Sequence, residues 1–105
     1  MVQTTDNNLK IVKKFKRNLR KFGVERLIFF GSRVRGDFNQ ESDFDIIAIS
    51  KKFKEIKWYE RPLNLYLNWK EDYPLEIICY TPEEFERLKK KIGIVREAVK
   101  EGIEV

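Results

Sequence analysis

Three short runs of β-prone residues constrain this chain more than any other feature: Val24 to Phe30, Phe44 to Ile49 and Leu75 to Tyr80. The first stops at Gly31, the second alternates its faces, and the third is launched by Pro74. Helical patterns fill the rest. From Leu9 to Phe22 apolar residues recur at Leu9, Val12, Phe15, Leu19 and Phe22 with lysines and arginines between, predicting an amphipathic helix ended by Gly23. Pro62 predicts the first turn of a helix over Leu63 to Lys70. Thr81, Pro82 and Glu84 spell a helix start, with Thr81 as N-cap and Glu84 closing a capping box, for a helix to about Lys91 stopped by Gly93. A last helical stretch runs from Ile94 to Lys100. The order predicts an α+β fold, a small mixed sheet of three or more strands covered mainly on one side by helices.

A chain of 105 residues is read as a single domain over 1–105, with room for one modest core and none for a separate acceptor-holding domain. The uncharged runs are too short to cross a bilayer, and Met1 to Asn8 lacks the layout of a signal peptide, so a cytoplasmic protein away from membranes is expected. The absence of histidine removes imidazole metal sites and histidine general bases. Chemistry must then rest on carboxylates, hydroxyls, amines and bound metal. The lone Cys79 sits in an apolar run and is read as a small hydrophobe. A net charge of +5 suits a polyanionic substrate, but lysine-rich helix faces are usually solvated, and no RNA-binding signature accompanies this one. Nucleic acid is not expected as a partner.

The candidate chemistry lies in Phe30-Gly31-Ser32-Arg33-Val34-Arg35-Gly36 and Glu41-Ser42-Asp43-Phe44-Asp45-Ile46-Ile47. Residues two apart in a strand share a face, so Asp43 and Asp45 project together at the mouth of an apolar strand. Two carboxylates about 4 Å apart near a surface repel by roughly 4 kcal/mol, and a shared divalent ion reverses the sign. The alternative is an Asx turn in which Asp43 caps the strand entry and Asp45 stays exposed. If the second and third strands are neighbours, Glu76 joins the pair in a three-carboxylate cluster; otherwise it is an exposed strand start. Gly31 permits close approach of backbone to a ligand, Ser32 caps the turn Arg33 to Arg35, and Gly36 is its left-handed stop. Arg33 and Arg35 flank that turn; either is a candidate phosphate clamp or simply a solvated side chain, and Arg35 is the favoured clamp.

Together these residues spell G-S-x10-D-x-D, and the chain resembles the DNA-polymerase-beta-like nucleotidyltransferases, in particular the small minimal nucleotidyltransferases. The resemblance runs from about Leu27 to Phe85, where Tyr80-Thr81-Pro82-Glu83-Glu84-Phe85 also fits. It implies a polymerase-beta-like palm and transfer of AMP from ATP to a hydroxyl with release of pyrophosphate. By position it implies Gly31 and Ser32 as nucleotide-binding residues and Asp43, Asp45 and Glu76 as catalytic ligands of Mg2+ or Mn2+; Arg35 and Ser42, beside these segments, are further nucleotide-binding candidates. Glu76 stands where the family commonly has an aspartate acting as ligand and base.

Minimal members of that family work beside HEPN toxins, and several neutralise them by adenylylating a tyrosine. The resemblance therefore implies an antitoxin-type adenylyltransferase with a HEPN protein as partner, in a homo- or hetero-oligomer. The alternative is a weakly active or inactive antitoxin that inhibits by docking, for which Trp58, Tyr59, Tyr66, Trp69 and Tyr73 offer an interface. Core packing is the expected fate of at least half of these five.

Overall fold

The computed structural model describes residues 4–105; positions 1–3, the start of the stretch read for a signal peptide, lie outside the described residues. The elements are α1 (Asp6–Asn18), β1 (Arg26–Phe30), α2 (Ser32–Arg35), β2 (Phe44–Ile49), α3 (Arg61–Tyr66), β3 (Leu75–Tyr80), α4 (Pro82–Leu88), α5 (Ile94–Glu101) and β4 (Ile103–Glu104). The strands form one sheet in the order β3-β2-β1-β4. β1 runs antiparallel to β2 and β4, while β2 and β3 are parallel, so the sheet is mixed and the second and third strands are neighbours.

Helices cover both faces, not mainly one as expected. On one face α1 and α3 bury Val12, Phe15 and Leu65 against Leu27, Phe29, Phe44, Ile46 and Ile77. On the other, Phe85 of α4 and Val95 and Ala98 of α5 cover Ile28, Phe30, Ile47 and Ile49. The cause lies in β1 and β2, which are apolar at nearly every consecutive position and so present hydrophobic side chains on both sides. Burying each such Phe or Ile is worth about 1.5–3 kcal/mol, which no one-sided arrangement would recover.

Boundaries differ where caps decide them. α1 starts at Asp6 because the Thr5 hydroxyl accepts the Asn8 amide at 3.1 Å, and it ends at Asn18, with Arg20–Phe22 tightening into a 3-10 turn before Gly23 at φ 71°. α3 occupies Arg61–Tyr66 in place of Leu63 to Lys70. It stops early because the Asn68 and Trp69 amides turn back to Leu65 and Tyr66, and the Trp69 indole N–H donates to the Tyr73 carbonyl at 2.7 Å. The capping box forms as expected, Thr81 Oγ1 accepting the Glu84 amide at 3.2 Å and Glu84 Oε1 accepting the Thr81 amide at 2.8 Å. That helix ends at Leu88 rather than Lys91, with the Lys91 amide closing a turn on the Leu88 carbonyl. β4 was not expected; a two-residue strand carries no periodicity, and it is pinned by two 2.8 Å hydrogen bonds from Arg26 to Glu104. Among the described residues no helix is long and apolar enough to cross a membrane. Cys79 is buried, and burial pushes its thiol up to about 12, as befits an inert core thiol.

Candidate active site

The sheet brings the candidate residues to one corner. Phe30, the last residue of β1, pairs with Asp45 of β2, and Asp45 pairs with Glu76 of β3. Phe30, Asp45 and Glu76 therefore stand in register across three adjacent strands, with Gly31 immediately beyond the end of β1. Asp43 lies one residue before β2 and two before Asp45.

Gly31 is buried and adopts φ 87°, ψ −163°, a conformation essentially confined to glycine. A Cβ here would stand 2.1 Å from Asp45 Oδ2, so the missing side chain is the space the Asp45 carboxylate occupies. Gly31, not Ser32 as expected, is the N-cap of α2; its carbonyl accepts the Val34 and Arg35 amides at 3.0 and 3.1 Å. The backbone turn does the capping, so the Ser32 hydroxyl is not consumed by it. As first residues of a helix, Ser32 and Arg33 have amides without an intrahelical acceptor. Gly36 ends the turn at φ 97°, the left-handed stop that was expected.

Asp45 is half-buried, and its carboxyl is pushed up to about 6 by burial and then by the charges of Asp43 and Glu76, with Arg35 opposing. Asp43 and Glu76 are solvent-exposed. Among the described residues no three Asp, Glu or Cys side chains converge closely enough to hold an ion as they stand. The register thus sets Asp45 level with Glu76 while the three side chains do not converge. The donor set, hard carboxylate oxygens open to water on one side, fits Mg2+ or Mn2+.

Arg33 and Arg35 divide their work. Arg33 is 2 % exposed; its guanidinium donates to the carbonyls of Ser42, Asn39 and Gln40 and to Asn8 Oδ1 at 3.0–3.2 Å, and it lies against the rings of Phe38, Phe44 and Tyr73. It ties the loop carrying Ser42 and Asp43 to the core. Arg35 is exposed, 3.3 Å from Asp37 and 3.1 Å from Glu101. The Ser42 hydroxyl accepts the Asn39 amide at 3.0 Å, and its O–H remains to donate elsewhere. Sequence reading missed Asn8 and Glu101, which partner the two arginines from 25 and 66 residues away; no local pattern reports such contacts.

Replacing Arg33 by Lys is expected to destabilise the protein by about 3 kcal/mol, roughly a 15 °C drop in melting temperature, because an ammonium cannot serve four acceptors and three ring faces. Thermal unfolding followed by circular dichroism checks this, and a shift under a few degrees would mean the loop is held otherwise.

A carboxyl raised from its ordinary 3.8 to about 6 makes the folded state bind the extra proton between those values. Its contribution to stability is full below about pH 4, declines as pH rises through 6, and is a deficit at neutrality. At about 1.4 kcal/mol per unit the ceiling is near 3 kcal/mol, and solvent screening brings the expected effect to about 1–2 kcal/mol. In chelator, Asp45→Asn is therefore expected to melt a few degrees higher than wild type at pH 7.5 and to lose that advantage near pH 4.

The nucleotidyltransferase domain family model matches residues 10–101. A Methanocaldococcus jannaschii protein named "Putative protein adenylyltransferase" is 29% identical over 72 residues, 66% of this chain and 73% of that protein. The crystal structure of a "putative nucleotidyltransferase" from Sulfolobus solfataricus superposes with a TM-score of 0.58 at 20% identity, covering 94% of this chain and 82% of the other. That likeness shows the fold, the α+β polymerase-beta-like architecture. With the family model spanning nearly its whole length, this chain belongs to the nucleotidyltransferase domain family.

Proposed function

We propose that the corner formed by Gly31, Ser32, Asp43, Asp45 and Glu76 transfers AMP from ATP to a hydroxyl of a partner protein. The observation that carries this reading is the alignment of Asp45 with Glu76 on neighbouring strands beside the end of β1, with the Asp45 carboxylate filling the space a Gly31 side chain would take. Asp43, Asp45 and Glu76 are the residues that would hold Mg2+ or Mn2+, which when bound supplies neutralisation of phosphate charge and lowers the pKa of the attacking hydroxyl.

The chain's own residues do the rest. The open amides of Ser32 and Arg33 receive the β- and γ-phosphate oxygens, and Arg35 is exposed beside them to add a guanidinium donor. Glu76, at the outer side of the pair, takes the proton of the acceptor hydroxyl. The name of the archaeal relative supports a protein as acceptor, and the family resemblance points to a tyrosine of a HEPN toxin, with this chain as antitoxin.

One observation favours a docking role beside the chemistry. Of the five aromatics expected to lie at least half in the core, only Trp69 and Tyr73 pack there, while Trp58, Tyr59 and Tyr66 are exposed. The two readings separate in one assay. Incubation with α-labelled ATP, Mg2+ and the HEPN protein is expected to label that protein, and Asp43→Asn to abolish the label. A stable complex with no label in either case would leave docking as the function.

A further inference from the structure

Four consecutive residues, Ile77, Ile78, Cys79 and Tyr80, line a groove of about 480 Å3. Consecutive strand side chains point to opposite faces, so a groove touching all four runs along the edge of β3 rather than over a face. β3 is the outer strand, bonded only to β2. The Phe44 amide donates to the Pro74 carbonyl at 2.8 Å and the Ser50 amide to the Tyr80 carbonyl at 3.1 Å, which sets the parallel ladder. Glu76, Ile78 and Tyr80 thus face β2, and the amides and carbonyls of Leu75, Ile77 and Cys79 point outwards. Arg61 Nη1 takes the Cys79 carbonyl at 3.3 Å. Among the described residues the outward backbone groups of Leu75 and Ile77 have no hydrogen-bond partner.

We propose that this edge receives the acceptor: an extended segment of a partner protein adds to the sheet as a strand outside β3 and presents a hydroxyl side chain level with Glu76. This rests on the transfer reading above. Phosphoryl transfer places the attacking and leaving oxygens in line on opposite sides of the phosphorus. The Gly31-Ser32 turn that would hold the leaving pyrophosphate lies on the β1 side of Asp45, and Glu76 lies on the β3 side. The acceptor must then enter from beyond Glu76, where the open edge begins.

A neighbouring strand lies about 4.8 Å away, so a side chain paired with Glu76 on the same face stands beside its carboxylate. There the acceptor oxygen forms a bond to the α-phosphorus, the bond from that phosphorus to the pyrophosphate oxygen breaks, and the hydroxyl proton passes to Glu76.

The groove's banks select a single strand. Trp58, 74 % exposed, and Tyr59 stand on one side, Arg87 and Leu88 on the other. The groove between them holds about 480 Å3, with Trp58 and Tyr59 as anchors of the kind that dominate interfaces. A second copy of this chain would bring its own two banks against these.

The test uses α-labelled ATP, Mg2+ and a library of nine-residue peptides in which varied Val and Thr positions flank one central tyrosine. Label is expected on the peptides, and N-methylating the amides along one peptide edge is expected to reduce it roughly tenfold or more, with no such loss from the other edge. Ile77→Pro removes the outward amide of an edge strand, together with a core side chain, and is expected to reduce the label likewise. Should its buried position make that variant unstable, Trp58→Ala tests the same groove from an exposed position. Equal labelling of both N-methylated series, or turnover of ATP with label only on small alcohols or oligonucleotides, would overturn strand addition while leaving transfer intact. No conversion of ATP to AMP and pyrophosphate with any acceptor, water included, would sink the transfer reading and the proposal with it.

Discussion

Asp45→Asn is expected to reduce nucleotidyl transfer by at least about three orders of magnitude while leaving the fold intact. The amide keeps the shape of the side chain, so Gly31 and the sheet register lose nothing, but the charge that would hold a divalent ion and that attracts Arg35 is gone. Loss of a single preorganised electrostatic contact of this kind commonly costs 100- to 1,000-fold, and loss of a metal ligand exceeds it. The same variant is the one expected to melt higher in chelator. Lower activity together with higher stability marks a residue kept for chemistry at the expense of the fold. A variant that lost both would be read as a folding defect, and one that kept activity would remove Asp45 from the mechanism.

The second large effect is on stability. Gly31→Ala is expected to cost about 3–5 kcal/mol and to leave no measurable transfer. A residue other than glycine is strained at φ 87°, ψ −163° by about 1–3 kcal/mol, and the new methyl would overlap the Asp45 carboxylate, which must swing out of the site. The two contributions separate in a double-mutant cycle with Asp45→Gly. Removing the carboxylate should recover the steric part, leaving the backbone strain and no activity. Chemical denaturation of the four proteins reads the coupling, and simple additivity would mean that the two residues do not meet.

Much of this corner is legible in the sequence because its parts are local. Gly31 and Ser32 follow directly on a strand, Asp43 and Asp45 stand two apart where another begins, and Thr81, Pro82 and Glu84 cap a helix within one turn. Local rules reach as far as such spacings, and there the three main strands and the capping box agree with the structure. What escaped was set by distant contacts. The burial of Arg33 depends on Asn8, Phe44 and Tyr73, which no window around Arg33 contains. The cover on the second face comes from α4 and α5, drawn there by the outward apolar residues of β1 and β2. β4 exists because Arg26 and the β1 edge hold two residues that alone would have no reason to be extended. The three carboxylates show both sides of this: the register brings Asp45 level with Glu76 as expected for neighbouring strands, yet among the described residues no three such side chains close on a common point.

The central claim is that this corner binds a nucleotide triphosphate through a divalent ion held by its carboxylates. Calorimetric titration with α,β-methylene-ATP, which cannot be turned over at the α-phosphate, tests it without any acceptor. The account predicts binding that requires Mg2+, is abolished by chelator and is lost in Asp45→Asn while that variant remains folded. Binding of equal strength without Mg2+, or undiminished in Asp45→Asn, would contradict it.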